Sequence, residues 1–282
     1  MKRLAIIGFG HIGASIAEAL QKNNVPIEIL AIDRDPEVLK KAKVRGLAKE
    51  SSTEISSCQT ADQVLLSVPV KSCVEILREV TSAMNPAALL LDVASTKGVL
   101  LAEFKRIGSP VRYISLHPLA GTEKPGIDSA RSEIFKGMPF LFFPVQKADE
   151  QALSDVDTII EACKGKKIEV KSAEEHDATL ALTIHLPHVL AYALTHLAEE
   201  SSENQATDVF SLAGRSFRDS TRVASSDIQM VHDFLSTNTD QTTTAIDQLM
   251  NHLGRIKELL AAGNDEELKS VMKNAQKLRE RL

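Results

Sequence analysis

Only three cysteines occur in 282 residues, Cys58, Cys73 and Cys163, and no two of them form a CxxC pair. That spacing excludes a disulfide frame and a cysteine-built zinc site, and the thiols read as reduced residues of a cytoplasmic protein. Positive charge is not in excess either. Lys and Arg number 33 against 38 Asp and Glu, a formal net charge of −5, which gives no electrostatic ground for nucleic acid or an anionic membrane as partner. Long apolar runs are missing as well. The first begins at Leu4 and stops at Gly8, too short for a signal-peptide core. None approaches the roughly 20 residues that span a bilayer. There are no internal repeats, low-complexity tracts or long flexible linkers. What remains is an ordinary soluble composition, 43% apolar and 25% charged, in a chain long enough for one large domain or two of typical size.

The first 170 residues or so alternate short apolar runs with helix-period stretches. Seven runs read as strands: LAIIG (4–8), IEILAID (27–33), VLLSVP (64–69), ALLLDV (88–93), VRYISL (111–116), FLFFPV (140–145) and KIEV (167–170). Their near-continuous hydrophobicity suits a parallel sheet covered on both faces. Residues 12–20 and 73–84 have helical periodicity between them, so the pattern is that of a doubly wound, Rossmann-type α/β domain over residues 1–172. From residue 173 strand-like runs cease. Ile246, Leu249, Met250, Leu253, Ile256, Leu259 and Leu260 fall on one helical stripe. A last helix, opened by Asn264-Asp265-Glu266-Glu267, is expected to bury Leu268, Val271, Met272, Ala275 and Leu278. Residues 173–282 therefore read as an all-helical C-terminal domain.

GFGHIG, residues 8–13, is a full GxGxxG that follows a strand and opens a helix. Gly8 makes the tight turn, Gly10 lets the backbone approach a pyrophosphate and Gly13 lets the helix lie close to the strand. His11 and Ile12 complete the cofactor-facing turn. The helix N-terminus offers free N–H groups and partial positive charge to phosphates. Asp33 ends the next strand at the spacing of the acidic residue that accepts from the ribose hydroxyls. It favours NAD, while the neighbouring Arg34 could partner the 2′-phosphate of NADP. Ser67 and Pro69 close a further strand at the same sheet edge and line the cofactor cleft. A glycine-rich turn without a ligand is the plain alternative.

Ligands of open α/β sheets bind beyond the carboxyl ends of the strands. That rule brings Ser95, past Asp92-Val93, and His117, past the run 111–116, toward one cleft. A histidine there can take a hydroxyl proton as hydride leaves to NAD, with Ser95 holding its ring. Position alone leaves open whether His117 is that base or a strand-end residue bonded to a local carbonyl. In the helical part, His185 and His188 lie three apart on one face of IHLPHVLAYAL (184–194). No cysteine or carboxylate completes a metal set around them, and a buried, satisfied histidine fits His185 best. AGRSFRDSTRVASSD (213–227) carries Arg215, Arg218 and Arg222. It is either a clamp for carboxylates or a helix start with solvated arginines, one of them paired with Asp219.

DVASTKG (92–98), HPLAGTEKPG (117–126), HLPH (185–188) and FRDSTRVASSD (217–227) occur in this order. The chain resembles the prephenate/arogenate dehydrogenase family of tyrosine biosynthesis over essentially its whole length. HPLAGTEKPG and FRDSTR are the distinctive elements, whereas the glycine fingerprint is shared by many dehydrogenases. The resemblance implies NAD-dependent oxidative decarboxylation of prephenate or arogenate. It implies that His117 accepts the hydroxyl proton with Ser95 orienting it, and that Arg218 binds a substrate carboxylate. Thr122 and Glu123 would stand at the pocket mouth, with His188 on the substrate side chain. It further implies a homodimer through the helical domain. With no chorismate mutase segment ahead of Leu4 a monofunctional enzyme is expected, and with no ligand set around the histidines no metal is expected.

Some positions depart from that family's pattern. Ala94 stands where many relatives have Gly, Ile184 where many have Ser, and Arg215-Ser216 where glycines are common. None removes a catalytic group, but both substrates stay open; His188 leans toward prephenate. Two other readings share the architecture. One is a dehydrogenase or reductase of another small hydroxy or imino acid, which substrate profiling would separate. The other is a non-catalytic NAD-sensing module, against which Ser95, His117, His188 and Arg218 together argue.

Overall fold

The computed structural model describes residues 1–121, 126–146, 148–203 and 208–281. Residues 1–238 form one compact unit and residues 239–282 a second. Through the first runs an eight-stranded sheet in the order β3-β2-β1-β4-β5-β6-β7-β8. Its strands are β1 (Lys2–Ile7), β2 (Ile27–Ile32), β3 (Glu50–Ser52), β4 (Gln63–Leu66), β5 (Leu89–Asp92), β6 (Arg112–Pro118), β7 (Pro139–Pro144) and β8 (Lys166–Glu169). The helices α1 (His11–Lys22), α2 (Pro36–Val44), α3 (Val70–Ala83), α4 (Gly98–Ile107) and α5 (Glu150–Ala162) alternate with them.

Strands β1 to β6 are parallel, and β1 shows why they read as continuous apolar runs. Leu4 and Ile6 pack into one core with residues of α1 and α5, while Ala5 and Ile7 pack into another with residues of α3 and α4. Two expectations change here. The sheet is not wholly parallel, because β7 runs antiparallel to β6 and β8 then runs parallel to β7. The described part of the β6–β7 connection holds only the short 3-10 turns Ile127–Ser129 and Ser132–Phe135. Without a crossover helix the chain returns beside the strand it left. And β6 extends two residues past the apolar run, so His117 lies within the strand, opposite Leu141.

Several helix starts are capped by the side chain of the preceding residue. Asp35 accepts from Glu37 N–H ahead of Pro36, Asp149 from Ala152 N–H, and Ser172 from Glu175 N–H. Helix α1 has no such cap, and neither has α3. Gly10 precedes α1, and the first turn of α1 holds no acidic residue.

After β8 come α6 (Ala173–Leu180), a π-helical turn (Ala181–His185) and α7 (Leu186–Glu203), then α8 (Arg215–Thr221) and α9 (Ile228–Thr237). The compact unit extends to Asn238, well past the change of texture at residue 173, because these helices are tied to the sheet half. Asp177 accepts from Lys97 and Gly98 N–H, the Thr96 and Thr237 hydroxyls meet at 2.7 Å, and Lys71 Nζ stands 3.2 Å from Asp233. The helical stretch Ala173–Glu203 is long and apolar enough, by length and composition alone, to cross a membrane. Histidine, threonine and proline interrupt it, so it holds no long continuous apolar run. Its N-terminal turn is bound to the sheet half through buried Asp177.

The second unit holds α10 (Thr239–Ala261) and α11 (Asp265–Arg279). The expected burial of the last helix fails in the single chain. Leu268 and Val271 are half-buried, whereas Met272, Ala275 and Leu278 are exposed. On α10 only Leu259 of the predicted stripe is buried, and Met250, Leu253 and Leu260 are exposed. Two helices side by side cover one flank of each stripe and leave the other bare.

Candidate active site

The strand order reverses between β1 and β4, which neighbour each other while the chain winds outward on either side. A crevice at such a switch point, beyond the carboxyl ends, is where ligands of this architecture bind. Gly8 follows β1 and Ser67 follows β4, and the two segments touch. Gly8 has φ of +90°, and a Cβ there would stand 2.5 Å from Val68 Cγ1 and 2.6 Å from the Ser67 carbonyl. At Gly13 a Cβ would stand 2.4 Å from the Gly8 carbonyl and 2.9 Å from Ile6 Cγ2. Gly10 is the opposite case, with no atom within 4 Å of that point. The turn is thus closed toward the protein at Gly8 and Gly13 and open at Gly10.

Asp33 binds this turn from β2. One carboxylate oxygen accepts from Phe9 N–H at 2.8 Å and the other from Asp35 N–H at 3.0 Å. Arg34 beside it is exposed. Two buried polar atoms at the turn, Ser67 Oγ and His11 Nε2, have no hydrogen-bond partner among the described residues. His11 Nδ1 meets Ser129 Oγ at 3.0 Å, and burial holds this histidine's pKa below the usual 6.5. An open glycine, an uncapped helix start and an orphaned hydroxyl together fit a phosphate-bearing dinucleotide.

The second cluster lies at the ends of β5 and β6. His117 Nδ1 is 2.9 Å from His176 Nε2, and His176 Nδ1 is 2.8 Å from Asp177 Oδ1. His176 and Asp177 are buried. The Asp177 carboxylate also accepts the N–H groups that open α4, from Lys97 at 2.9 Å and Gly98 at 2.8 Å. Lys97 is 1% exposed, and its ammonium donates to Asp92 Oδ1 at 2.5 Å and to the Leu116 carbonyl at 2.6 Å. Asp92, fully buried, also accepts from the Tyr113 and Ser115 hydroxyls. Burial pushes the His117 pKa well below 6.5, and His176, Lys97 and His185 push in the same direction. His176 is lowered by burial too, with Asp177 opposing. Both rings are therefore neutral at pH 7, and His117 is available to accept a proton.

Further along, His185 is buried against Phe234, rings stacked at 4.5 Å, and its pKa is pushed down to about 4, chiefly by burial. Half-buried His188 donates through Nδ1 to the Ile184 carbonyl, 2.8 Å away, and its Nε2 is 3.4 Å from Ser226 Oγ. Arg218, on α8, is exposed and donates through Nε to the Ala213 carbonyl. Exposed Arg215 stands 3.6 Å from Asp219.

Two family models cover the chain. Residues 16–169 match the prephenate dehydrogenase nucleotide-binding domain, and residues 172–274 match the prephenate dehydrogenase dimerization domain. The chain belongs to the prephenate dehydrogenase family. It is 30% identical to the cyclohexadienyl dehydrogenase of Zymomonas mobilis, over 99% of this chain and 95% of that protein. It is 29% identical to the prephenate dehydrogenase of Bacillus subtilis, over 99% of this chain and 76% of the relative. Among solved structures it superposes with TM-score 0.91, at 30% identity, on the Aquifex aeolicus prephenate dehydrogenase in complex with hydroxyphenyl propionate and NAD+. That superposition covers 100% of this chain and 98% of the other.

Within this prephenate dehydrogenase fold the residues singled out from sequence are unequally placed. The glycine turn, Asp33, Ser67 and Pro69 gather at the switch point. His117 stands at the end of β6, but no hydrogen bond joins it to Ser95 among the described residues. The ring is held by His176 instead, which the orienting role expected of Ser95 does not include. Thr122 and Glu123 lie outside the described residues. His176, Asp177, Asp92 and Lys97 were not anticipated. The signals were present: His-Asp near the start of a helix, and a strand-end Asp with a Lys five residues on, in a segment too apolar to leave either charge solvated.

Proposed function

We propose that this protein oxidises prephenate, with decarboxylation, to 4-hydroxyphenylpyruvate using NAD, and that arogenate, giving tyrosine, is its alternative substrate. The observation that carries the reading is the neutral His117 at the carboxyl end of β6, anchored through one ring nitrogen to His176 and Asp177. Bound NAD supplies the hydride acceptor, and Asp33, Gly8, Gly10, His11, Ile12, Gly13, Ser67 and Pro69 are the residues that would hold it, with Arg34 leaving NADP as the lesser option. His117 accepts the proton of the ring hydroxyl as the carbinol carbon becomes a carbonyl. Loss of CO2 then aromatises the ring, a step that needs little from the protein beyond position. Ser95, which makes no side-chain hydrogen bond among the described residues, is available to the substrate hydroxyl. Arg218 binds a substrate carboxylate through its terminal N–H groups, while the Ala213 carbonyl holds Nε. His188 contacts the side chain, which favours prephenate.

In this reading residues 1–172 bind the cofactor, and residues 173–282 bind substrate and form a homodimer. Exposed Met250, Leu253, Leu260 and Met272 and the relation to a dimerization domain support the dimer. The test is NADH formation by purified protein with prephenate and arogenate offered separately, each with NAD and NADP. Turnover with prephenate and NAD supports the reading. Turnover with neither substrate overturns it and returns the choice to another small acid or to a cofactor sensor. Light scattering that gives a monomer at micromolar concentration overturns the dimer.

A further inference from the structure

We infer that His176, anchored by Asp177, is a positioning residue that fixes the tautomer of His117 so that Nε2 carries the lone pair. The inference rests on His117 being the base of the reaction proposed above, and it follows from counting protons along one line of atoms.

Asp177 Oδ1 and Oδ2 already accept from Lys97 and Gly98 N–H. As a carboxylate it has no proton to offer, so at 2.8 Å His176 Nδ1 is the donor. A neutral imidazole has a single N–H. His176 Nε2 is then an acceptor, and its neighbour at 2.9 Å, His117 Nδ1, has to donate to it. His117 thereby holds its only proton on Nδ1 and presents Nε2 bare. Reversing the chain would place an N–H on His117 Nε2, and no proton could be taken there.

The anchor is rigid from both sides. Asn238 donates to the Asp177 carbonyl at 2.8 Å, and a Cβ at Gly98 would stand 3.1 Å from Asp177 Oδ2, so the carboxylate sits close on the start of α4. The same α4 segment holds the backbone of the base, because Lys97 Nζ donates to the Leu116 carbonyl. One turn thus fixes the peptide ahead of His117 directly and the ring through two side chains. When the substrate proton arrives, the O–H bond breaks, the Nε2–H bond forms and Nδ1–H remains. The new positive charge faces Lys97 and His185, which oppose it, and a hydrogen-bonded line to Asp177, with Asp92 beside Lys97, which stabilises it.

Ring 15N spectra of histidine-labelled full-length protein at neutral pH read the tautomer without any turnover, with His117→Asn assigning the signals. The parent should show His117 protonated at Nδ1 and bare at Nε2. In His176→Leu the signal should become a tautomer mixture, and kcat should fall about 10- to 100-fold, a part of what a general base contributes. The substrate KM and NAD affinity should stay within about twofold of the parent, because the line of atoms holds the base and neither ligand. His176→Gln, whose amide oxygen can accept from Nδ1–H, should recover part of kcat, whereas a merely structural role would not distinguish Gln from Leu. A parent spectrum with His117 protonated at Nε2 overturns the inference, as does a His176→Leu protein with unchanged tautomer and kcat. If the tautomer is as stated but neither prephenate nor arogenate turns over, the assignment of the base's proton stands and the reaction is what fails.

Discussion

A methyl group added at Gly10 and one added at Gly13 should break different things, although the two residues share one turn. At Gly13 the new carbon meets the Gly8 carbonyl at 2.4 Å and Ile6 Cγ2 at 2.9 Å. Neither is the free end of a long side chain, so α1 has to move off β1. Overpacking of this kind costs about 1–3 kcal/mol. At about 2–4 °C per kcal/mol for a chain of this size, Tm should drop by roughly 2–12 °C. At Gly10 no atom lies within 4 Å of the new carbon, and φ of −77° is open to alanine. Removing freedom from the unfolded chain there should be neutral or stabilising by up to about 1 kcal/mol. The same methyl would nevertheless occupy the open side of the turn, where a pyrophosphate would approach. NAD affinity should fall at least about tenfold, the equivalent of about 1.4 kcal/mol. Thermal unfolding followed by circular dichroism, with and without NAD, separates the cases. NAD at 100 times its Kd should stabilise the parent by about 2.7 kcal/mol. Gly10→Ala should match the parent without NAD and lose about half of that gain or more, and Gly13→Ala should be lower in both. Parent-like NAD binding by Gly10→Ala would refute the placement of the phosphates. A parent-like Tm for Gly13→Ala would refute the packing argument.

Three more outcomes follow from the same geometry. Lys97→Met leaves Asp92 as a fully buried carboxylate without its cation, and should cost about 3–5 kcal/mol in urea unfolding; adding Asp92→Asn should return much of that loss, and an unchanged midpoint for the single variant would sink the argument. Arg218→Ala should raise the substrate KM by at least about tenfold, the loss of a charge-assisted contact, and leave NAD affinity near the parent's; equal loss of both would mean the substrate site is elsewhere. The pH dependence has a defined sign. His117 works unprotonated and its pKa lies well below 6.5, so kcat/KM should rise with pH only on the acid side of 6.5 and be level above it; a limb centred above 6.5 would show that a different group is being titrated.

Much of the fold could be read before any coordinates, because its determinants are local. Each of the seven apolar runs contributes to a strand, and six of them lie in strands covered on both faces, which announce themselves by uninterrupted Val, Ile, Leu and Phe, whereas β8 is an exposed edge strand. The strand that escaped, Glu50–Ser52, is three polar residues at the sheet edge with nothing periodic to show. The reversal at β7 escaped for another reason. FLFFP has the same composition whether it runs up or down, and direction is decided by the connection, which here lacks a helix. The apolar stripes of the last two helices were visible, but not what would cover them, since a stripe does not say whether its partner lies in the same chain.

The candidate site divides along the same line. Residues that do chemistry on a ligand are exposed to it, lie at strand ends and stand in motifs, so Gly10, Asp33, Ser95 and His117 could be picked out one at a time. Residues that orient them have to be rigid, which means buried, and a buried polar group must find its partners wherever the fold brings them. His176 is 59 residues from the ring it holds, and Asp177 is 80 from the Lys97 N–H it accepts. In isolation His176-Asp177 looks like ordinary polarity near a helix start, where acids are favoured by the dipole. Lys97 was passed over on a rule that holds almost everywhere, that lysine stays in water. What overrides the rule is Asp92, five residues earlier, at the end of a fully buried strand. A strand-end carboxylate with no solvent needs a cation within reach, and in DVASTKG there is one candidate. On the proposed reading the Ser95 segment is therefore as much a clamp as a ligand contact: its lysine fixes the peptide before the proposed base, and its amides fix the carboxylate inferred to decide which nitrogen of that base is free.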